Sequence, residues 1–361
     1  MLNNFKLKYF KSFFCFLYLI CFQLLNGKEQ YIPTNDIKIG NINSDYNFLV
    51  GGHLYGDPRQ TSSPASTLLL NIQNFNQLNP LFFISLGDNY RSANDVNIKQ
   101  FFNSFVEKLN FPFLTIAGNH DVTDRKKFNE YFGRSYYDFS VGSEHFIILD
   151  SEFESLENQR RQIKYFDELI IKISQNNIIS NVFILTHKLL WADLLNKYDI
   201  VFQNSNNTSL YDNQVEFGEN ILKSLDIIKN LKNIFWLSGD VGIWRSFPLF
   251  YEKDIKEDIT FVATGLGDTK NDMILSIAVQ NGEITMEALA LNGLKRLKVE
   301  KYNSMFWKKL FAKKSNPQNI ISTFKIYIQK FKLKETILYI MLTFFIIFLF
   351  FITISIRRCN D

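Results

Sequence analysis

Leu114-Thr115-Ile116-Ala117-Gly118-Asn119-His120-Asp121 is the stretch on which the reading of this chain turns. Its apolar first half has the pattern of a buried β-strand, and Gly118 is where the backbone can turn sharply out of that strand. Asn119, His120 and Asp121 follow at once, each able to bind a metal or handle a proton. Ligands of α/β sheets bind at the carboxyl ends of strands, so a strand that stops on Asn-His-Asp sits where chemistry is done. Taken alone, the tetrapeptide is also compatible with an ordinary polar β–α loop, and its context decides.

Working outward, the same arrangement recurs. Phe82-Phe83-Ile84-Ser85-Leu86 runs into Gly87-Asp88-Asn89-Tyr90, and Val182-Phe183-Ile184-Leu185-Thr186 runs into His187. Ile234-Phe235-Trp236-Leu237-Ser238 runs into Gly239-Asp240-Val241-Gly242, and an earlier apolar run ends in Gly51-Gly52-His53. The chain has 4 histidines, and His53, His120 and His187 all fall at these ends. Only His145 lies outside the pattern, in a hairpin where it reads as a surface or packing residue.

Helical periodicity separates these runs. Helices are expected over 67–78, 98–109, 125–132, 158–174 and 214–230, the fourth with Ile163, Phe166, Leu169, Ile170 and Ile173 on one face. Hairpins are expected over 136–150 and 273–289, the second turning at Asn281-Gly282, and a strand over 259–264. Residues 189–212, with Trp191, read as a long loop. The order begins as strand–helix–strand and ends in strands, which predicts an α/β fold of two mixed sheets face to face with helices outside.

Charge divides the chain. Residues 28–294 carry 23 Lys and Arg against 33 Asp and Glu, whereas 295–334 carry 12 Lys and Arg against Glu300 alone. The overall charge of +4 hides an acidic body, which argues against nucleic acid as a partner because binding its backbone needs a basic surface. Cys15, Cys21 and Cys359 lie in or beside the apolar ends, so the body has neither a disulfide framework nor a cysteine zinc site.

Lys6, Lys8 and Lys11 precede an apolar run over 13–25, and residues 1–27 are read as a signal peptide or an uncleaved N-terminal anchor. Residues 28–294 form the folded body. Residues 295–334 are a basic segment in which Tyr302, Phe306 and Leu310 share a helical face among lysines. That pattern suits a helix on an anionic membrane surface, and equally a solvated linker. In the last segment, 335–361, residues 337–356 are free of charge and long enough to cross a bilayer, with Arg357-Arg358 behind them. The expectation is a single C-terminal membrane span. The many lysines before it favour a cytoplasmic body, but the first segment, inserted first, favours an extracytoplasmic one, and the latter is the orientation expected.

The set Gly-x-His, Gly-Asp-x-x, Gly-Asn-His-Asp, a lone His and Gly-x-x-x resembles the calcineurin-like metallophosphoesterase superfamily, nearest its purple acid phosphatase branch. The resemblance covers roughly residues 46–290 and extends to Tyr136-Tyr137-Asp138-Phe139-Ser140 and Phe146-Ile147-Ile148-Leu149-Asp150-Ser151-Glu152. It implies a four-layer α/β/β/α sandwich holding two divalent metals, Mn, Fe or Zn, which bind a phosphate ester and activate water for attack on phosphorus. By the same resemblance Asp88 is the bridging carboxylate, Asn119 and His187 are ligands of the second metal, and His120 is the acid that serves the leaving group. Asp240 stands at the first histidine of the usual Gly-His-x-His and can complete that second site. The first site is depleted: Gly51 stands where the usual motif has Asp, Gly242 where it has the last His, and only His53 and Asp88 remain. Asp57 is a conceivable substitute ligand. Tyr90, Trp191 and Arg245 are conceivable cleft residues.

The expectation is therefore a membrane-anchored, metal-dependent phosphoesterase acting on a phosphate mono- or diester. Its competitor is a catalytically impaired member that binds a ligand or serves as a scaffold at the membrane.

Overall fold

The structure is a computed structural model, and it describes residues 34–36, 39, 45–57, 59, 64–204, 210–241 and 249–314. Strands β1 to β11, numbered in chain order, form two mixed sheets. The first holds β1 (Tyr46–Gly51), β2 (Phe83–Ser85), β3 (Phe113–Thr115), β10 (Met273–Gln280) and β11 (Glu283–Ala290), in the order β11-β10-β1-β2-β3. β1, β2 and β3 are parallel, while β10 and β11 add antiparallel strands. The second holds β4 (Tyr137–Val141), β5 (Glu144–Ile148), β6 (Asn181–Thr186), β7 (Asn233–Ser238), β8 (Leu249–Asp254) and β9 (Ile259–Thr264), in the order β4-β5-β6-β7-β9-β8. Its four central strands are parallel and its two edges antiparallel. β6 and β9 are buried at every position, as parallel strands covered on both faces must be, and their unbroken apolar text follows from that.

Phenylalanine fills the space between the sheets. Phe139, Phe146, Phe183 and Phe235 are register partners on β4, β5, β6 and β7, and their rings stack with centroids 4.8, 4.9 and 4.9 Å apart. Phe48 and Phe82 of the first sheet meet Phe146 edge-on at 5.2 and 5.5 Å. Offset stacks within a sheet and edge-to-face contacts across sheets are the geometries the ring quadrupole prefers. The other face of the first sheet presents Leu49, Phe83 and Phe113 to Leu68, Phe75, Ile98, Phe101, Phe128 and Phe132 of the helices over it.

Several expected boundaries shift for physical reasons. The single helix expected over 67–78 is two, α1 (Ser66–Leu69) and α2 (Ile72–Leu78). Between them the Asn71 amide donates to the Thr67 and Leu291 carbonyls, a competing interaction that interrupts the helical ladder. Further along come α3 (Asp95–Ser104), α4 (Arg125–Phe132) and α5 (Leu156–Gln175), each opened by a side chain that caps it: Asn94, Asp124 and Ser155. The stretch 189–212 is not the loop expected. It holds α6 (Leu190–Leu194) and a 3-10 segment, Asn196–Asn204, because Trp191 is buried against Phe250 and Phe261 and pulls the chain inward. α7 (Asp212–Leu225) follows. β8 escaped the sequence reading because it is a sheet edge with a charged, half-exposed middle. The hairpin turn at Asn281-Gly282 has φ of 50° and 78°, the paired left-handed residues a type I′ turn requires.

The residues that follow form a unit of their own from Ser304, beginning with α8 (Ser304–Lys314). Among the described residues no helix is long and apolar enough to cross a membrane. The span expected over 337–356 and the leader expected over 1–27 lie outside the described residues, as do Gly242 and Arg245.

Candidate metal centre

The parallel strands of both sheets end on the same residues the sequence singled out. β1 delivers His53, β2 Asp88, the chain after β3 Asn119 and His120, β6 His187, and β7 Asp240. Glycines let these ends crowd together. A Cβ on Gly87 would lie 2.7 Å from Nδ1 of His187, and one on Gly118 only 2.4 Å from the Asp88 backbone nitrogen. His53 and Asp88 adopt left-handed backbone, with φ of 51° and 60°. Such conformations cost about 1–3 kcal/mol each and persist only where surrounding contacts impose them.

Asp121 is one source of that imposition. Its buried carboxylate accepts from the backbone N–H of Asp88 at 2.6 Å, of Asn89 at 2.9 Å and of Gly118 at 3.1 Å. Burial and the nearby Asp88 charge push Asp121 up to about 7, although the same N–H groups favour its anion. Asp121 thus shapes the loop that aims Asp88, and it does not pair with His120.

Asp88, His187 and Asp240 each offer a ligand atom, and these lie within 4.8 Å of one another. Nδ1 of His187 is 2.8 Å from the Leu86 carbonyl, which can only accept, so Nδ1 carries the proton and Nε2 presents its lone pair to the site. Nε2 faces Oδ1 of Asn119 at 3.2 Å and Oδ1 of Asp88 at 3.5 Å. The Asn119 orientation is fixed by Lys188, whose Nζ is 3.2 Å from Oδ1, because the amide's NH2 cannot face an ammonium. When Nε2 is deprotonated, three electron-rich atoms converge there, an arrangement that a cation stabilises. The donor set of two carboxylates, an imidazole and an amide oxygen fits one divalent ion such as Mn, Fe or Zn. Burial works against a charge on His187, but Asp88 and Asp240 outweigh it and raise its pKa above the ordinary imidazole value.

The opposite side of the cleft is different. His53 is fully buried, its Nε2 lies 3.6 Å from Oδ2 of Asp88, and its Nδ1 has no hydrogen-bond partner. Burial lowers its pKa to about 4, against the pull of Asp88 and Asp240, so the ring is neutral near pH 7. Its face lies 4.1 Å from the Tyr55 ring, and the Tyr55 hydroxyl meets Nε2 of His120 at 3.2 Å. Nδ1 of His120 is 2.7 Å from the Arg91 carbonyl and donates to it, so Nε2 accepts from Tyr55. Burial, with Asp88 and Asp240, raises the Tyr55 pKa and keeps the phenol protonated.

Gly51 does not have the surroundings of a metal ligand. A Cβ there would sit 3.2 Å from Ile274, Leu54 and Phe83, among the apolar side chains of the outer core. At Gly52 it would lie 2.3 Å from the Thr264 carbonyl oxygen. Asp57 is no substitute, because its carboxylate holds the Arg59 guanidinium at 2.6 Å and is not part of the ligand group. Tyr90 and Trp191 are fully buried packing residues, and Trp191 donates to Ser238 at 3.0 Å. His145 is buried and lies 3.2 Å from Asp138, a packing role.

Three residues of the site were missed from the sequence. Lys188 reaches Oδ2 of Asp240 at 2.8 Å, Glu152 comes within 3.8 Å of Lys188, and Tyr55 touches both cleft histidines. The signal available for Lys188 was its place directly after His187, a cation next to a candidate ligand just past the end of β6. Glu152 and Tyr55 carry no local signal.

The sequence model of the calcineurin-like phosphoesterase family matches residues 53–243. No curated protein sequence matches the chain. Among solved structures, a purple acid phosphatase, PPD1, from yellow lupin (Lupinus luteus) seeds aligns at 9% identity with a TM-score of 0.45, over 74% of this chain and 54% of the phosphatase. Vps29 from Entamoeba histolytica, as a double mutant, aligns at 7% identity with a TM-score of 0.27, over 68% of this chain and 98% of Vps29. The chain thus spans about half the length of the lupin phosphatase.

Proposed function

Because this chain belongs to the calcineurin-like phosphoesterase family, we propose that it hydrolyses a phosphate mono- or diester with the help of one divalent metal held by Asp88, Asn119, His187 and Asp240. The observation that carries the reading is the convergence of the Asp88, His187 and Asp240 ligand atoms within 4.8 Å at the carboxyl ends of strands. When bound, the metal supplies a Lewis acid for the phosphoryl oxygens and a water of lowered pKa. His187 is locked by the Leu86 carbonyl in the tautomer a ligand needs. The backbone N–H of His120 donates to Oδ1 of Asp88 at 3.1 Å and fixes which lone pairs that carboxylate keeps for the site.

His120 is the candidate general acid. Its Nδ1–H is held by the Arg91 carbonyl, so the second proton of the imidazolium sits on Nε2 of this half-buried residue, from which it can pass to a leaving oxygen. Tyr55, held protonated, donates to the same nitrogen once the proton has left, and the His53 ring packs against Tyr55 to orient it.

The place of action we propose is a membrane surface, with the body extracytoplasmic. This rests on the charge-free residues 337–356, on Arg357-Arg358 and on the basic segment before them. A second reading, a non-catalytic family member that binds a ligand or serves as a scaffold at the membrane, is favoured by the apolar surroundings of Gly51 and by the hold of Lys188 on Asp240.

The test is metal content and hydrolysis on the full chain in detergent. After incubation with Mn, Fe or Zn, one metal per chain is expected by elemental analysis, together with cleavage of p-nitrophenyl phosphate or its bis ester. Asp88→Asn is expected to lose both. A folded protein that holds no metal and cleaves neither ester would overturn the enzymatic reading.

A further inference from the structure

Lys188 is the side chain in the cleft that the family pattern leaves without a role. It follows His187 at the end of β6, with its side chain only 13% exposed. Its Nζ lies 2.8 Å from Oδ2 of Asp240, 3.2 Å from Oδ1 of Asn119 and 3.8 Å from Oε1 of Glu152. An ammonium has three N–H donors and no acceptor, and three oxygens surround this one. Two of those oxygens belong to the residues read above as metal ligands.

The third is informative in another way. Oε1 of Glu152 is buried and accepts no hydrogen bond. A buried acceptor left unsatisfied is costly, so it marks a second seat for the ammonium within a short swing of the first. Glu152 is held in place from several sides. The Ser151 hydroxyl accepts from the Lys188 N–H at 3.1 Å, Gln214 donates to the Ser151 carbonyl at 3.0 Å, and the Arg125 guanidinium donates to the Glu152 carbonyl.

We propose that the Lys188 ammonium is a built-in competitor for the metal. It holds Asp240 and Asn119 in place of a divalent cation, keeps the cleft folded without one, and must swing to Glu152 before a metal engages all four ligands. The proposal rests on reading Asp88, Asn119, His187 and Asp240 as the cage. Direct geometry supports it: a metal bound to Asp240 at the usual ligand distance of roughly 2.0–2.2 Å would share that carboxylate with a cation already hydrogen-bonded to it. Like charges this close in a buried site repel strongly, so the site's metal affinity is set by how readily Lys188 leaves. Burial disfavours a charge on Lys188, but Asp240 and Glu152 outweigh it and keep the amine protonated.

Calorimetric titration of the full chain with Mn2+ tests this, together with thermal melts in chelator and in excess Mn2+. Lys188→Met is expected to bind Mn2+ at least about tenfold more tightly than the unmodified chain, because a competing charge has gone. Its melting temperature should fall in chelator and recover with Mn2+ over a wider span than that of the unmodified chain, whose tighter-held ammonium leaves less for the metal to add. If Lys188→Met does not fold, Lys188→Gln, whose amide still donates to Asp240, carries the same comparison. Glu152→Gln is expected to weaken Mn2+ binding in the unmodified background, since the second seat loses its charge. Equal or weaker Mn2+ affinity in the Lys188 variants overturns the proposal. Asp88→Asn in both backgrounds separates the two readings. If Mn2+ binds and depends on Asp88 but ignores Lys188, only the competitor fails. If no background binds Mn2+, the cage itself fails.

Discussion

On one side of the cleft, Asp88, Asn119, His187 and Asp240 bring lone pairs together around a small space, and a lysine lies across two of them. On the other, His53 is neutral, its Nδ1 has no partner, and the glycine at the usual Asp position is surrounded by Ile274, Leu54 and Phe83. Both sides are built on strand ends and share Asp88. The difference lies in what closes around them: polar groups of opposite charge on one side, apolar side chains and backbone on the other. The position that the family pattern gives to a ligand is therefore enclosed in this chain by apolar packing.

The largest effect should come from the histidine that faces the metal side from across the cleft. His120→Ala is expected to lower the rate of ester cleavage by about 10²–10⁴ while bound metal is retained, as steady-state kinetics and elemental analysis would register. Full activity in that variant would remove the general acid and leave the cleft with only its metal side.

Rebuilding the depleted side is the next test. Gly51→Asp restores the residue type of the usual motif but puts a carboxylate among apolar side chains. It is expected to destabilise the fold by about 3 kcal/mol or more in denaturant titration, without adding a second metal. A stable variant that binds two metals would erase the contrast between the sides.

The two buried histidines should titrate in opposite directions in protein treated with chelator. His53 is expected to protonate only near pH 4, and His187 above its ordinary value of about 6.5, as NMR of the imidazole nitrogens would resolve. The raised His187 pKa contributes stability that is present below about pH 6.5 and lost as pH rises through the folded value. The lowered His53 pKa removes stability as pH falls from about 6.5 towards its folded value. Observing the reverse order would show that Asp88 serves His53 rather than His187. The smallest effect is expected from His53→Ala, which should change Mn2+ affinity by less than about threefold, since one isolated imidazole adds little to a cage complete without it.

Much of this was legible in sequence for a local reason. Each strand is a short apolar run ended by glycine and a polar residue, so the positions of His53, Asp88, Asn119, His120, His187 and Asp240 could be read one run at a time. The order of runs gave two mixed sheets, since a parallel pair needs a helix between its strands and a hairpin does not. Lys188 and Glu152 lie on different strand ends, and nothing in either segment tells that they meet. Tyr55 has no local mark in the sequence, and only the folded loop after β1 sets it between His53 and His120.

By itself, then, the sequence determined which side chains stand at strand ends, because a strand's period and its terminating glycine are properties of a few adjacent residues. It also determined that the body is acidic and that residues 337–356 carry no charge, because composition needs no fold. Only the tertiary structure decided that the Asp position of the first motif faces the outer core and that a lysine rests on Asp240. Those outcomes depend on which way each strand's alternating side chains point once two sheets have packed, and on distances between residues far apart in the chain.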